Sequence, residues 1–255
     1  MPGGKRIIIL LTVLLGSLLS AALTLHSQSS GNQSPPPRPN KTWEQMDVSK
    51  WPAADYNSSE PVDEKSRHVR ETKGKNFDKS KFEVNPASGS DNHSLTHSET
   101  DLLPPLPVPQ SDAVVIGDVV AARAYLSNDK TGVYSEFDIA VVESIKQYSV
   151  EPLSPGDSIT VMRDGGRVRL PSGRVQLYSI SKERMPEVRQ RYILFLRRLD
   201  GGQGFRLLTA YALKNGKVVP LDGHSQFKTY QDTDEANFVD RIRETAMKSS
   251  QPMPK

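Results

Sequence analysis

The 255-residue chain has only 36% hydrophobic residues and a mean hydropathy of −0.52, too low for a chain packed throughout, so part of it is expected to stay outside any core. The net charge of +3 comes from the C-terminal part, where 21 basic face 18 acidic residues from Ser111 onward, and this surplus is too thin to define a polyanion-binding face. The absence of cysteine excludes disulfides, thiolate nucleophiles, lipoprotein acylation and cysteine-based metal centres.

At the start, Lys5 and Arg6 precede the uncharged run Ile7 to Leu25. As a helix this run reaches about 28 Å, close to the hydrocarbon thickness of a bilayer. Positive charge on its N-terminal flank predicts that the remainder is translocated. Residues 1–25 are therefore read as a signal anchor or a cleaved signal peptide. The chain is then either single-pass in an inner membrane with its C-terminus outside the cytoplasm, or periplasmic or secreted.

Residues 26–110 change character. Ser, Asn, Asp, Lys, Glu and Pro dominate, no helical or strand period persists, and a disordered spacer with a reach of roughly 50 Å is expected. Proline clusters stiffen both ends, Pro35 to Pro39 and Leu103 to Pro109. Within it lie both tryptophans, Trp43 and Trp51, expected to be solvated or to form a short docking motif. A cation-rich run from Lys65 to Lys81 reads as a solvated charge run, and His93 and His97 stand four apart without helical context.

From Ser111 short apolar runs alternate with Gly, Pro, Asp and Asn. A first strand should place Val114, Ile116, Val120, Ala122 and Leu126 on one face. Its partner should alternate Val133, Phe137, Ile139 and Val141 against an outer Tyr134, Glu136 and Asp138. SITVMR follows Leu153 to Asp157, and a hairpin is expected around Pro171, Ser172 and Gly173. RYILFLRRL is the most continuous apolar run and so the expected central strand. FRLLTAYAL and a short strand at Val218 to Leu221 complete the set. The fold class is all-β: six or seven short strands in a small OB-like antiparallel barrel or sandwich over 111–228, closed by one C-terminal helix over 229–248. Asp232 is the expected N-cap of that helix, with Phe238, Ile242 and Ala246 as its apolar stripe.

The segments SDAVVIGDVVAA, VVESIK, LSPGDSITVMRDGGRVRLPSGR and MPEVRQRYILFL, with a final GG-containing hairpin, resemble a small β-barrel domain of secreted or anchored bacterial proteins, Acidobacteria-like in source and without assigned activity. The resemblance implies an OB-like, netrin-module-like barrel over Ser111 to Leu221. It transfers no catalytic residue.

No enzyme constellation emerges from the sequence. There is no G-x-S-x-G elbow or Walker or dinucleotide motif, the domain's single histidine, His224, reads with Asp222 as a polar turn, and Glu136 and Asp138 read as solvated surface. No cofactor or metal is expected. The remaining feature is a cluster of arginines, Arg163, Arg167, Arg169 and Arg174, assigned to one hairpin as a candidate binding surface for an envelope protein, acidic glycan or lipid head group. Arg191, Arg197 and Arg198 flank the RYILFL strand, with Tyr178, Tyr192 and Phe205 as possible stacking partners. Export argues against nucleic acid. The function expected is a non-enzymatic binding or adaptor module of the cell envelope. The alternatives are a structural component recruited through the spacer and its tryptophan segment, and an uncharacterised hydrolase.

Overall fold

The computed structural model describes residues 47–84, 91–147, 152–201 and 204–249. The hydrophobic run at 7–25, Trp43 and the first proline cluster lie outside them. Among the described residues no helix is long and apolar enough to cross a membrane.

Among the described residues the architecture is mainly β-sheet with two α-helices, one of them C-terminal. The two long strands are β4 (Ala113–Leu126) and β5 (Val133–Lys146), which pair antiparallel along their whole length. β5 pairs with β6 (Ser158–Asp164), and β4 pairs over its first half with β9 (Arg191–Arg198). β10 (Phe205–Lys214) pairs with β9, with the end of β6 in parallel, and with β11 (Lys217–Pro220). The pairing order β10–β6–β5–β4–β9 therefore returns to β10. β9, the apolar run RYILFLRR, has a strand on each side as its composition predicts.

Inside this circuit lie Val115, Phe137, Ile139, Val161, Leu194, Leu196, Phe205 and Leu207, all buried. The opposite face of β9 and β10 packs against α2 (Glu235–Ser249) through Phe238, Val239, Ile242 and Ala246. The helix starts later than the predicted 229. Residues 227–230 form a 3-10 turn, Asp232 has φ of +62°, and the cap is Asp234, whose carboxylate accepts the Asn237 N–H at 3.2 Å.

The strict alternation expected for β4 fails because its pairing with β5 shifts register at three places. Each bulge moves the following residues to the other face. Hence Val120 is exposed while Val115 and Val119 are buried. On β5, Tyr134 and Glu136 are buried under a helix instead of facing water.

The largest correction concerns the spacer. Its described part, 47–84 and 91–110, is packed onto the domain. β1 (Ala53–Asp55) pairs in parallel with β7 (Gly166–Arg169), and β3 (Asn92–Leu95) pairs in parallel with β8 (Val175–Ile180) and antiparallel with β2 (Glu83–Val84). With the β7–β8 hairpin they form a second, five-stranded sheet. The sheets are thus mixed, not antiparallel throughout. Trp51 is 5% exposed and belongs to the same core as Phe137 and Leu194. Its carbonyl accepts the Arg167 Nε–H at 2.9 Å. The second proline cluster is also interior: Leu103 and Val108 are buried, and the Tyr211 hydroxyl donates to the Pro105 carbonyl at 2.6 Å.

Candidate functional site

The predicted arginine surface is dispersed by the fold. Arg163 is 2% exposed and sits on β6 with its side chain in the interior. Its Nε–H donates to Glu183 at 3.0 Å, Nη2 to Asp222 at 2.9 Å and Nη1 to the Arg184 carbonyl at 2.8 Å. Asp222 also accepts the Thr209 hydroxyl at 2.8 Å and the Arg184 N–H at 3.1 Å, and the Ser98 hydroxyl donates to Glu183. Burial pushes the Asp222 carboxyl up; burial also opposes charge on Glu183, but Arg163 draws that carboxyl below its usual range. One guanidinium thus ties together β6, the 183–184 turn and the segment after β11, and Glu183 extends the tie to Ser98.

The other three arginines are spent on local ties. Arg167 holds Trp51, Arg169 pairs with Asp55 at 3.4 Å, and Arg174 pairs with Asp91. Each links the β7–β8 hairpin to the segment wrongly expected to be disordered. Asp222 and His224 follow the last strand in a bend, as the polar-turn reading expects, but not at the surface. Both are buried, and His224 Nδ1 lies 3.1 Å from Asp101 with its Nε2 meeting no hydrogen-bond partner. His93 lies on β3, its ring stacked on Tyr178 at 4.4 Å, while His97 stands apart on the surface near Asp101. Tyr178, Tyr192 and Phe205 are buried, so none offers an exposed stacking platform. Among the described residues no group of three or more His, Asp or Glu side chains is placed to hold a metal ion.

A cavity of about 920 Å³ lies elsewhere, where the chain from β1 to α1 (Glu64–Lys75) wraps around β4. Its size falls in the range of ligand-binding clefts. Cross-strand register defines its walls. Tyr125 and Arg123 stand opposite Tyr134 and Glu136, so these four share one face of the β4–β5 ribbon; Ala122, Ala124 and Leu126, opposite Phe137, Ser135 and Val133, share the other.

Helix α1 covers the first face. Asp63 caps it by accepting the Ser66 N–H at 2.7 Å, and its polar surface has only Val69 as an apolar residue, so tertiary contacts rather than an apolar stripe hold it. Lys73 Nζ lies 3.0 Å from Glu136, with both side chains mostly buried. Arg70 stands over the Tyr125 ring at 5.3 Å and pairs with Glu60 at 3.8 Å. Just beyond the helix, Phe77 stacks on Tyr134 at 4.4 Å. Gly74 makes this approach possible: a Cβ there would meet Asn128 Oδ1 at 2.3 Å, while Asn128 Nδ2 donates to the Glu71 carbonyl at 2.8 Å.

β1 covers the second face, with Ala54 packed in one cluster with Ala124, Leu126 and Val133. Residues 56–63 cross from one face to the other past the edge of β4. The cavity lies beneath that crossing, lined by the alanines of β1 and β4 on one side and by Lys65, Arg70, Lys73, Arg123 and Glu136 on the other. A second cavity of about 590 Å³ continues beyond Leu126, sharing Ser58, Glu60 and Arg70 with the first.

This arrangement is suited to holding a ligand: a small-residue wall, a charged wall in which Lys65, Arg70, Lys73 and Arg123 stand with Glu60 and Glu136, and an ion pair fixed at the base. Sequence reasoning placed Glu136 and Asp138 together on a solvated face, but Glu136 is 6% exposed against Lys73, and Asp138 is half-buried against Arg123. The run 65–81, read as a solvated charge run, supplies Lys65, Arg70 and Lys73 of the charged wall, and β4 supplies Arg123. No protein-family model, curated protein or solved structure matches this chain.

Proposed function

We infer that this chain is a non-enzymatic binding module of the cell envelope, exported by its first 25 residues, and that it takes its ligand in the cleft between α1, the 56–63 crossing and β4. The closed pairing circuit is read as a small OB-like barrel serving as the rigid scaffold of that cleft. The observation that carries the reading is the 920 Å³ cavity, which sets a charged wall, with Lys65 as its surplus cation, against a wall of small apolar residues. The arginine hairpin is not the binding surface in this reading, because Arg163 is interior and its neighbours are engaged in holding the N-terminal segment. Recruitment through a tryptophan motif loses support for the same reason, since the Trp51 side chain is in the core.

The test is retention of envelope components on the immobilised full chain, wild type against a Lys65→Ser, Arg123→Ser double variant. Both side chains are exposed, so the fold is expected to persist. Retention of at least one component should drop about tenfold or more in the variant, the loss expected from removing two cationic contacts. Identical retained sets would end the assignment of this cleft.

A further inference from the structure

The floor of this cleft is an open strand edge. β4 pairs with β9 only from Ala113 to Asp118, and Val119 completes that side by exchanging hydrogen bonds with Gln190 and Arg189 at 3.1 and 2.8 Å. From Val120 to Leu126 β4 has β5 on one side and, among the described residues, no strand on the other.

The direction of the main-chain groups follows from the hairpin. The Ser127 N–H donates to the Gly132 carbonyl at 3.0 Å, while the Val133 carbonyl turns away from β4 to accept the Gly165 N–H at 2.7 Å. In an antiparallel ladder these orientations alternate. Tyr125, Arg123 and Ala121 therefore bond back to β5, and Ala122, Ala124 and Leu126 present their N–H and C=O groups outward. Those residues line the two cavities beneath the 56–63 crossing.

An unpaired edge of this kind is a template for another strand, and proteins ordinarily blunt it with a charge, a proline or a close cover. Here the cover stands off by a cavity. Resting on the binding reading above, we propose that the ligand is an extended peptide that adds as a strand to the β4 edge between Val120 and Leu126. Such an edge spans roughly 20 Å, enough for about six peptide residues. Successive side chains of an added strand point to opposite faces. One set meets Ala53, Ala54, Ala122 and Ala124, whose small size leaves room for apolar side chains. The other set meets the α1 wall. There Arg70, Lys73 and Arg123 each have one carboxylate partner, Glu60, Glu136 and Asp138, and Lys65 is the surplus cation. The peptide selected is therefore apolar on one parity and carries an acidic side chain facing Lys65 on the other.

The experiment starts from a displayed library of random ten-residue peptides selected on the full chain. The best-enriched peptide is then synthesised in three forms: unmodified, N-methylated on the odd-numbered amides, and N-methylated on the even-numbered amides. Strand addition requires that one methylated form bind about 30-fold or more weaker, as expected for the loss of two or three main-chain hydrogen bonds, while the other binds like the parent. Amide exchange at Ala122 and Ala124 should slow on binding, and Ala122→Pro, which removes one outward N–H while sparing the ladder to β5, should weaken binding without lowering the unfolding temperature by more than a few degrees. If that variant unfolds, the methylated peptides still decide the question. Equal binding of all three forms would overturn strand addition while leaving the cleft as a site. Failure to enrich any peptide would overturn it too, with the retention assay on the Lys65, Arg123 variant still judging the binding reading on its own.

Discussion

Trp51→Ala tests the packing of the N-terminal segment most directly. The side chain is 5% exposed and touches the interior of the strand circuit, so nearly all of its apolar area leaves water on folding. At about 200 Å² for a buried tryptophan and about 25 cal/mol per Å², the transfer contribution is ~5 kcal/mol, and residual burial in the unfolded chain lowers this to ~3–4 kcal/mol. Arg167 bonds the Trp51 backbone carbonyl, which the substitution leaves in place, so the loss is one of side-chain packing. Against a usual total of about 5–15 kcal/mol, the variant should be clearly weakened, with an unfolding temperature lower by roughly 10 °C. The assay is urea unfolding followed by circular dichroism, with Trp43→Phe as the fluorescence background so that emission reports Trp51 alone. That emission should be blue-shifted in the native chain and move to the red on unfolding. A loss below about 1 kcal/mol, or emission already at the wavelength of solvated indole, would refute the packing of residues 47–55.

Two further outcomes concern charge. Arg163→Met leaves Glu183 and Asp222 buried without their cation, a loss of about 3–5 kcal/mol; because both carboxyls are then raised above their unfolded values, the deficit relative to wild type should shrink as pH falls through the carboxylate range, and a deficit independent of pH would show that the pair is not the cause. Asp129 is depressed below its ordinary 3.8: desolvation is the largest single influence and opposes this, but the N–H groups of Thr131 and Lys79 and the hydroxyls of Thr131 and Ser127 together outweigh it. Its stabilisation is thus present above pH 3.8 and lost on acidification, so wild type and Asp129→Asn should differ in unfolding temperature near neutrality and converge as pH falls well below that value. Convergence on raising the pH instead would contradict the assignment.

The strands after Ser111 were legible as apolar runs bounded by turn residues, although the bulges of β4 broke its expected alternation, and the hairpin at Pro171 to Gly173 because its turn residues are local. Arg163 was readable too. Ile159, Val161 and Arg163 share one parity on β6, and following that alternation through the charge would have placed the arginine inside. What could not be read is the N-terminal half. β1 has three residues and β2 two, too short for any period, and α1 is held by Lys73, Arg70 and Gly74 against residues some sixty positions away. The only local marks were the Asp63 cap and the acidic Glu64 in the first turn. The open edge of β4 was equally hidden, since a strand's sequence does not state how many neighbours it has.

The parallel pairs β1–β7 and β3–β8 join the beginning of the domain to strands more than eighty residues later. A chain synthesised N-terminus first must therefore carry β1 and β3 without their parallel partners until β7 and then, at Ile180, the end of β8 have emerged. Such a domain closes late and as a unit. Truncation anywhere before the β7–β8 hairpin would release both ends at once, which makes completion of synthesis itself the checkpoint for a finished cleft.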